Sequence, residues 1–313
     1  IFGTTAFVLY YEKTERQLPK LSSWIRQFFM SVIGAIIGSR FSPELMYVFI
    51  EFWISCLTLI PFILLAHAGS YAIMRKLGSY NRIDAYFATL PGGIIDSVAL
   101  AEQMGADLKI VTTQHFIRIV MVVACVPMLF FLVEGHAVGS AAGMAISTTN
   151  YNVVDIVIIL LVAIIGLGVG KLIKLPASHM MGSLFVGMIL SISGSVQIFV
   201  PFWLPHLAQF AIGTALGAQF SGVSMKMLNK GLSVGVIVGT YMLFIGALIA
   251  FILHHFVPAD FGPLFVSFAA GGLAEMSLIA LSLNFNPVIV ALHHLFRIIL
   301  TVLIGSILAN HIF

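Results

Sequence analysis

Charge is the scarcest thing in this chain. Lys, Arg, Asp and Glu make up only 9% of its 313 residues, where soluble domains carry about 25%. Apolar residues make up 60%, and mean hydropathy is +1.09. That excludes an ordinary soluble domain, because a core of this length needs far less apolar side chain; the surplus must face lipid or other buried helices. Basic runs are missing and net charge is only +3, which excludes nucleic acid as a partner. Cysteine is nearly absent. Cys56 and Cys125 sit in apolar stretches and read as small buried thiols, without disulfide framework or zinc spacing. No copper or iron ligand set recurs, the adjacent His293 and His294 being too few. The expectation is no metal, no cofactor and no enzyme, and no soluble output domain is seen within these residues.

What the chain does have is a glycine pair followed by a carboxylate, twice. Pro91-Gly92-Gly93-Ile94-Ile95-Asp96 recurs as Ala270-Gly271-Gly272-Leu273-Ala274-Glu275, shifted by 179 residues. The register continues without a gap. Asp96 falls on Glu275, His115 on His294 and Arg118 on Arg297; working back, Gly38 falls on Gly217, Gly34 on Gly213, Trp24 on Trp203 and Gly3 on Gly182. One folded unit has been used twice. The expected division is a first repeat at 1–133, a Gly/Ala/Ser/Thr-rich linker at 134–151 and a second repeat at 152–313. Position 1 aligns with Met180, so residues 153–179 lack counterparts, and a first helix is expected to be missing from this chain.

Apolar segments are expected at about 24–41, 46–74, 108–133, 153–172, 177–193, 203–220, 230–254 and 287–309. Gly34 with Gly38, Gly213 with Gly217, and the stripe Gly231, Gly235, Gly239 suit close helix contacts, within one protomer or in a homo-oligomer. Two further segments, about 82–105 and 262–284, are each two short apolar pieces around the Gly-Gly. Basic residues cluster at 13–26, 75–82, 171–174 and 226–230, and are missing from 135–151, 194–205 and 257–263. Clusters placed in the cytoplasm make each Gly-Gly segment enter and return on one side, and the repeats are then inverted. If the segments cross fully instead, the repeats are parallel. The expected fold is thus an all-α membrane protein with two inverted repeats, each carrying a broken, re-entrant segment near the midplane.

The chemistry should lie at the breaks. Non-helical backbone survives at membrane depth only against protein or a water-filled cavity. Broken segments, one per repeat, point to a transporter's binding site. Gly92, Gly93, Gly271 and Gly272 otherwise read as turns, since glycine tolerates positive φ. Asp96 and Glu275 lie in the first turn after the glycines, where a carboxylate complements a helix N-terminus. Each costs about 2.5–3.5 kcal/mol at the bilayer centre, which suits a proton or Na+ site better than a cap alone. Ser97 and Ser277 flank this turn as hydroxyl ligands. His115 with Arg118, and His294 with Arg297, are spaced to share a helix face. Each arginine needs a carboxylate, a carbonyl or an anionic ligand.

Pro91-Gly92-Gly93 with Asp96, Ala101-Glu102, Gly105-Ala106-Asp107 and Arg118 resemble the AbrB-type duplicated membrane proteins, often labelled ammonia monooxygenases or regulators. Gly271-Gly272-Leu273-Ala274-Glu275-Met276 is closer still, and Leu175–Gly182 is similar to a further family signature. Asp96 replaces the family's usual Glu, Ala270 a Pro and Met181 a Leu. The resemblance implies a bacterial inner-membrane protein and a transporter. The expected activity is secondary transport of a small polar or anionic organic solute, coupled to H+ or Na+, by alternating access of an elevator-like kind. The alternatives are a membrane sensor or regulator without transport, and a channel for a small solute such as ammonium. Lipid and the solute are the expected partners.

Overall fold

The computed structural model describes residues 3–4, 7–8, 10, 23–41, 52–134, 147–148, 151–175, 177–194, 198–218 and 225–313. In chain order the helices are α1 (Ser23–Gly38), α2 (Trp53–Leu57), α3 (Leu59–Lys76), α4 (Arg82–Ala88), α5 (Ile94–Gln103), α6 (Leu108–Glu134), α7 (Val153–Leu172), α8 (Ser178–Ile192), α9 (Trp203–Ala218), α10 (Met225–Leu253), α11 (Phe261–Phe268), α12 (Leu273–Ser282) and α13 (Pro287–Ile312). The all-helical expectation holds apart from one small parallel bridge, β1 (Ser147–Thr148) on β2 (Val200–Pro201). Its first strand lies in the expected linker, most of which falls outside the described residues, as do the basic residues of 13–20 and the start of the segment expected from 46.

Among the described residues, five helices are long and apolar enough to cross a membrane: Trp53–Lys76, Leu108–Leu132, Val153–Leu172, Gly231–Leu253 and Pro287–Ile312. Helix α7 shows why. Val157, Leu161, Ile164, Ile165 and Leu172 are exposed on it, while Ile159, Val162, Ala163, Gly166 and Gly170 are buried. Its two faces follow the helical period, but both are apolar, as a helix between protein and lipid requires.

The described chain forms two compact units, and each takes segments from both halves of the sequence. The first comprises residues 1–50, 130–221 and 277–289; the second 51–129, 222–276 and 290–313. Within the first, α8 packs on α1 and α7. A Cβ on Gly34 or Gly38 would strike the α8 backbone at Met180 or Leu184, and one on Gly166 would strike Ser183. Ser191 donates to the carbonyls of Ser39 at 3.0 Å and Phe41 at 2.6 Å, tying the far ends of α8 and α1. Glycine here lets helices touch at backbone level, where the hydrophobic effect gives little drive for association.

The second unit holds α2 to α5, α10, α11, most of α6 and α13, and the first turn of α12. Gly231, Gly235 and Gly239 of α10 face Gln114, Ile117 and Met121 of α6, so that stripe is used within the chain. The Gly-Gly segments are each two short helices, α4 with α5 and α11 with α12. Asn81 caps α4 through its side chain, accepting from Asp84 N at 2.7 Å. The buried Asp84 accepts Asn81 Nδ2 at 2.6 Å and the Asp107 backbone N–H at 2.8 Å. The start of α4 and the end of α5 are thereby clasped together. The second copy has Pro263 where the first has Asp84, and so lacks this carboxylate.

Gly166→Leu should separate α7 from α8, costing at least the roughly 1–3 kcal/mol typical of overpacking. Leu161→Ala, on the exposed face, should change little. Thermal melts in one detergent check the contrast, and equal melting points would refute the packing role of Gly166.

Candidate functional site

A helix that stops inside a membrane leaves carbonyls without partners, and lipid supplies none. At the first break, side chains and turn amides meet several of these carbonyls. Thr89 Oγ1 donates to Ala85 O at 2.8 Å and Thr89 N to Tyr86 O at 3.3 Å. His115 Nε2 donates to Phe87 O at 3.0 Å. The Arg118 guanidinium forks across the gap, Nη1 to Leu90 O at 2.6 Å and Nη2 to Gly92 O at 3.1 Å. Ser97 N then donates to Gly93 O at 3.0 Å, and α5 begins.

The second break has the same wiring. His294 Nε2 donates to Val266 O at 3.1 Å. Arg297 Nη1 donates to Ala269 O at 2.7 Å and Nη2 to Gly271 O at 2.8 Å. Met276 N donates to Gly272 O at 2.9 Å. In all four bonds, donor and acceptor are displaced by the same 179 residues from their first-copy equivalents. Helical spacing puts histidine and arginine one turn apart on α6 and on α13, so each pair reaches carbonyls three residues apart, such as Phe87 and Leu90. A carbonyl only accepts, so Nε2 carries the proton in both histidines and the neutral ring offers Nδ1 as an acceptor.

Neither arginine meets a carboxylate among the described residues; carbonyls take the place of the ion pair. Both guanidiniums are buried, and Arg297 feels the charge of Arg118. Arg118 Nε, Arg297 Nε, His115 Nδ1 and His294 Nδ1 are buried with no partner. These are the polar atoms that the breaks leave open.

The glycines are needed for room. Among the described residues only Gly105 and Gly194 are glycines with positive φ, so the turn expected at Gly92-Gly93 and Gly271-Gly272 is not left-handed. Instead, a Cβ on Gly92 would lie 2.8 Å from Thr301 Cγ2 of α13, and one on Gly93 2.8 Å from Asp96 Oδ2. A Cβ on Gly271 would lie 2.7 Å from Met276 Cε, and one on Gly272 would coincide with the Glu275 carboxylate. Each carboxylate therefore folds back over the second glycine, at the head of its own helix, where the N-terminal dipole favours negative charge. Both acids are half-buried. Ser97 is buried beside Asp96, and Ser277 is buried two residues after Glu275 on α12.

Some participants had no sequence signal. Helix α13 passes across the first break: Leu90 lies 3.0 Å from where a Gly305 Cβ would be, and Tyr86 Oη donates to Gly305 O at 2.7 Å. Thr301 is buried with its Oγ1 unpartnered, and its first-copy equivalent is Val122. His293, at the position of Gln114, lies 2.7 Å from Ser55 Oγ. That hydroxyl donates to Phe52 O at 2.8 Å, which spends its proton on the helix backbone. No group of three or more metal-ligating side chains occurs among the described residues.

Helices of membrane-spanning length and two wired helix breaks define a helical membrane-type protein. The chain belongs to the family described as "Transition state regulatory protein AbrB", which matches residues 1–313. It is similar to "Uncharacterized protein YhjN" of Bacillus subtilis (strain 168), 25% identical over 290 residues, covering 87% of this chain and 74% of that one. It is also similar to "Putative regulator AbrB" of Escherichia coli (strain K12), 23% identical over 296 residues, covering 95% of this chain and 84% of that one.

Arg297→Ala should orphan two buried carbonyls and His294→Ala one, at about 1–3 kcal/mol for each. Arg297→Lys, a point charge without the fork, should fall between wild type and Arg297→Ala. Melting temperatures of the three variants test the order, and a His294→Ala loss equal to the Arg297→Ala loss would break the argument.

Proposed function

We propose that this protein is a secondary active transporter of a small polar or anionic organic solute in the bacterial cytoplasmic membrane, coupled to H+ or Na+ and working by alternating access, with an elevator-like motion. The observation that carries the reading is the pair of equivalently wired helix breaks within one compact unit. Broken helices with open polar groups at membrane depth are how such carriers build a site without exposing backbone to lipid.

The clasp between Asp84 and Asp107 favours the re-entrant form of the first segment. A 22-residue crossing (82–103) would hold its ends roughly 30 Å apart, whereas here they share a hydrogen bond. With each segment returning to its own side, the basic-residue pattern gives inverted repeats.

The roles follow the wiring. Arg118, Arg297, His115 and His294 are positioning residues that hold the breaks open. Their free Nε and Nδ1 atoms, the Gly92, Gly93, Gly271 and Gly272 backbone and the Ser97 hydroxyl face the solute. Asp96 and Glu275 take the coupling cation, and an acid so placed binds a proton or Na+ by releasing its hold on the helix head.

The test is uptake by proteoliposomes under an imposed proton or sodium gradient, with solutes first chosen by thermal shift among carboxylates, amino acids, amines and ammonium. Gradient-driven accumulation is expected in wild type. Asp96→Asn and Glu275→Gln should abolish accumulation yet retain solute binding. Accumulation at wild-type level in both variants would remove the carboxylates from the coupling role.

A second reading rests on the name of the Escherichia coli relative, a regulator. A sensor would bind the solute, leave the gradient untouched and retain a protein partner on purification.

A further inference from the structure

A second charged cluster lies in the first unit. Helix α8 begins where α7 ends, beside the middle of α1. Its first residues are fixed there on both sides: the His179 carbonyl accepts the Ser31 hydroxyl of α1, and a Cβ on Gly170 of α7 would strike Ser178 O. Four basic side chains belong to this end. Arg26 lies in the first turn of α1, Lys171 in the last turn of α7, Lys174 in the turn between α7 and α8, and His179 at the start of α8. His179 feels the charges of both Arg26 and Lys171, so these groups on three helices form one cluster.

Nothing described there balances them. Among the side chains described in this unit, the acid is Asp155, at the opposite end of α7, and 16 residues of helix put it about 24 Å away. It is already engaged with the Asn152 and Phe199 backbone amides. Topology accounts for basic residues on one side of a membrane, but not for buried nitrogens without partners. Arg26 Nε and His179 Nδ1 are both such atoms. No side chain caps α8, whose N-cap, Ala177, is left-handed at φ 45°. Trp24 is exposed and stacked on Phe28 at 5.3 Å, beside Arg26. An exposed tryptophan next to arginine marks the headgroup level of a bilayer.

We infer that Arg26, Lys171, Lys174 and His179 form a binding site for the phosphate headgroup of an anionic phospholipid, held where α1, α7 and α8 meet. The phosphodiester would accept from the open nitrogens and lie against the first amides of α8, while the acyl chains run along the exposed apolar face of α7. This site is independent of the transport reading and stands whether or not the protein carries a solute.

The test is native mass spectrometry of detergent-purified protein given equal amounts of phosphatidylglycerol and phosphatidylcholine. Wild type should retain phosphatidylglycerol preferentially. Each charge removed among Arg26→Gln, Lys171→Gln and Lys174→Gln should weaken that preference roughly fivefold. Lys171→Arg and Lys174→Arg should keep it, which separates loss of charge from loss of fold. A wild type with no preference, or glutamine variants that keep it, would overturn the proposal. So would inorganic phosphate displacing the lipid at matched concentration, because the site would then be one for a soluble anion.

Discussion

The constraint on which this structure depends is the hydrogen-bonding need of peptide groups in a medium that offers them nothing. A helix can be interrupted inside a membrane only if the carbonyls it frees are met by the protein itself. Here one long helix in each half of the chain meets them with two side chains. Histidine takes the carbonyl nearest the end of the first half-helix, and arginine forks onto two more across the gap. The glycines, the folded-back carboxylates and the close passage of α13 are arranged around those bonds. Each acid sits at the head of the next half-helix, folded back over the second glycine.

The arginines carry the most change in meaning between sequence and structure. A buried guanidinium in an apolar chain suggests either an acid or an anionic ligand, and a carbonyl pair was the least specific of the three partners. The wiring makes them braces first, with only Nε left for anything else. The carboxylates move the other way. Each occupies the place nearest its helix N-terminus, where the helix dipole favours its negative charge.

Much of the architecture was legible because membrane segments announce themselves in composition and because the chain repeats itself. The 179-residue register found both glycine pairs, both acids and both His/Arg faces, and the helix limits of Val153–Leu172 were readable to the residue. What was not legible depends on contacts distant in sequence. Nothing local says that Gly92 is glycine because Thr301 lies against it, or that Asp84 ties the start of α4 to the end of α5. Positive φ was the wrong reason for the right residues at both breaks. Ser277 looked like Ser97 in sequence, yet its register equivalent is Val98.

The central claim is that the broken segments turn back on themselves, with both ends of each on one side of the membrane. Single cysteines test it directly, in a chain whose Cys56 and Cys125 are replaced by alanine. Ser79→Cys and Ala106→Cys bracket the first segment, Ala259→Cys and Leu283→Cys the second, and a membrane-impermeant maleimide is applied to oriented vesicles. The account predicts that Ser79→Cys and Ala106→Cys label from the same face, and that the second pair labels together from the opposite face. Labelling of Ser79→Cys and Ala106→Cys from opposite faces would mean that the segment crosses the membrane, and the inverted, re-entrant account would fail.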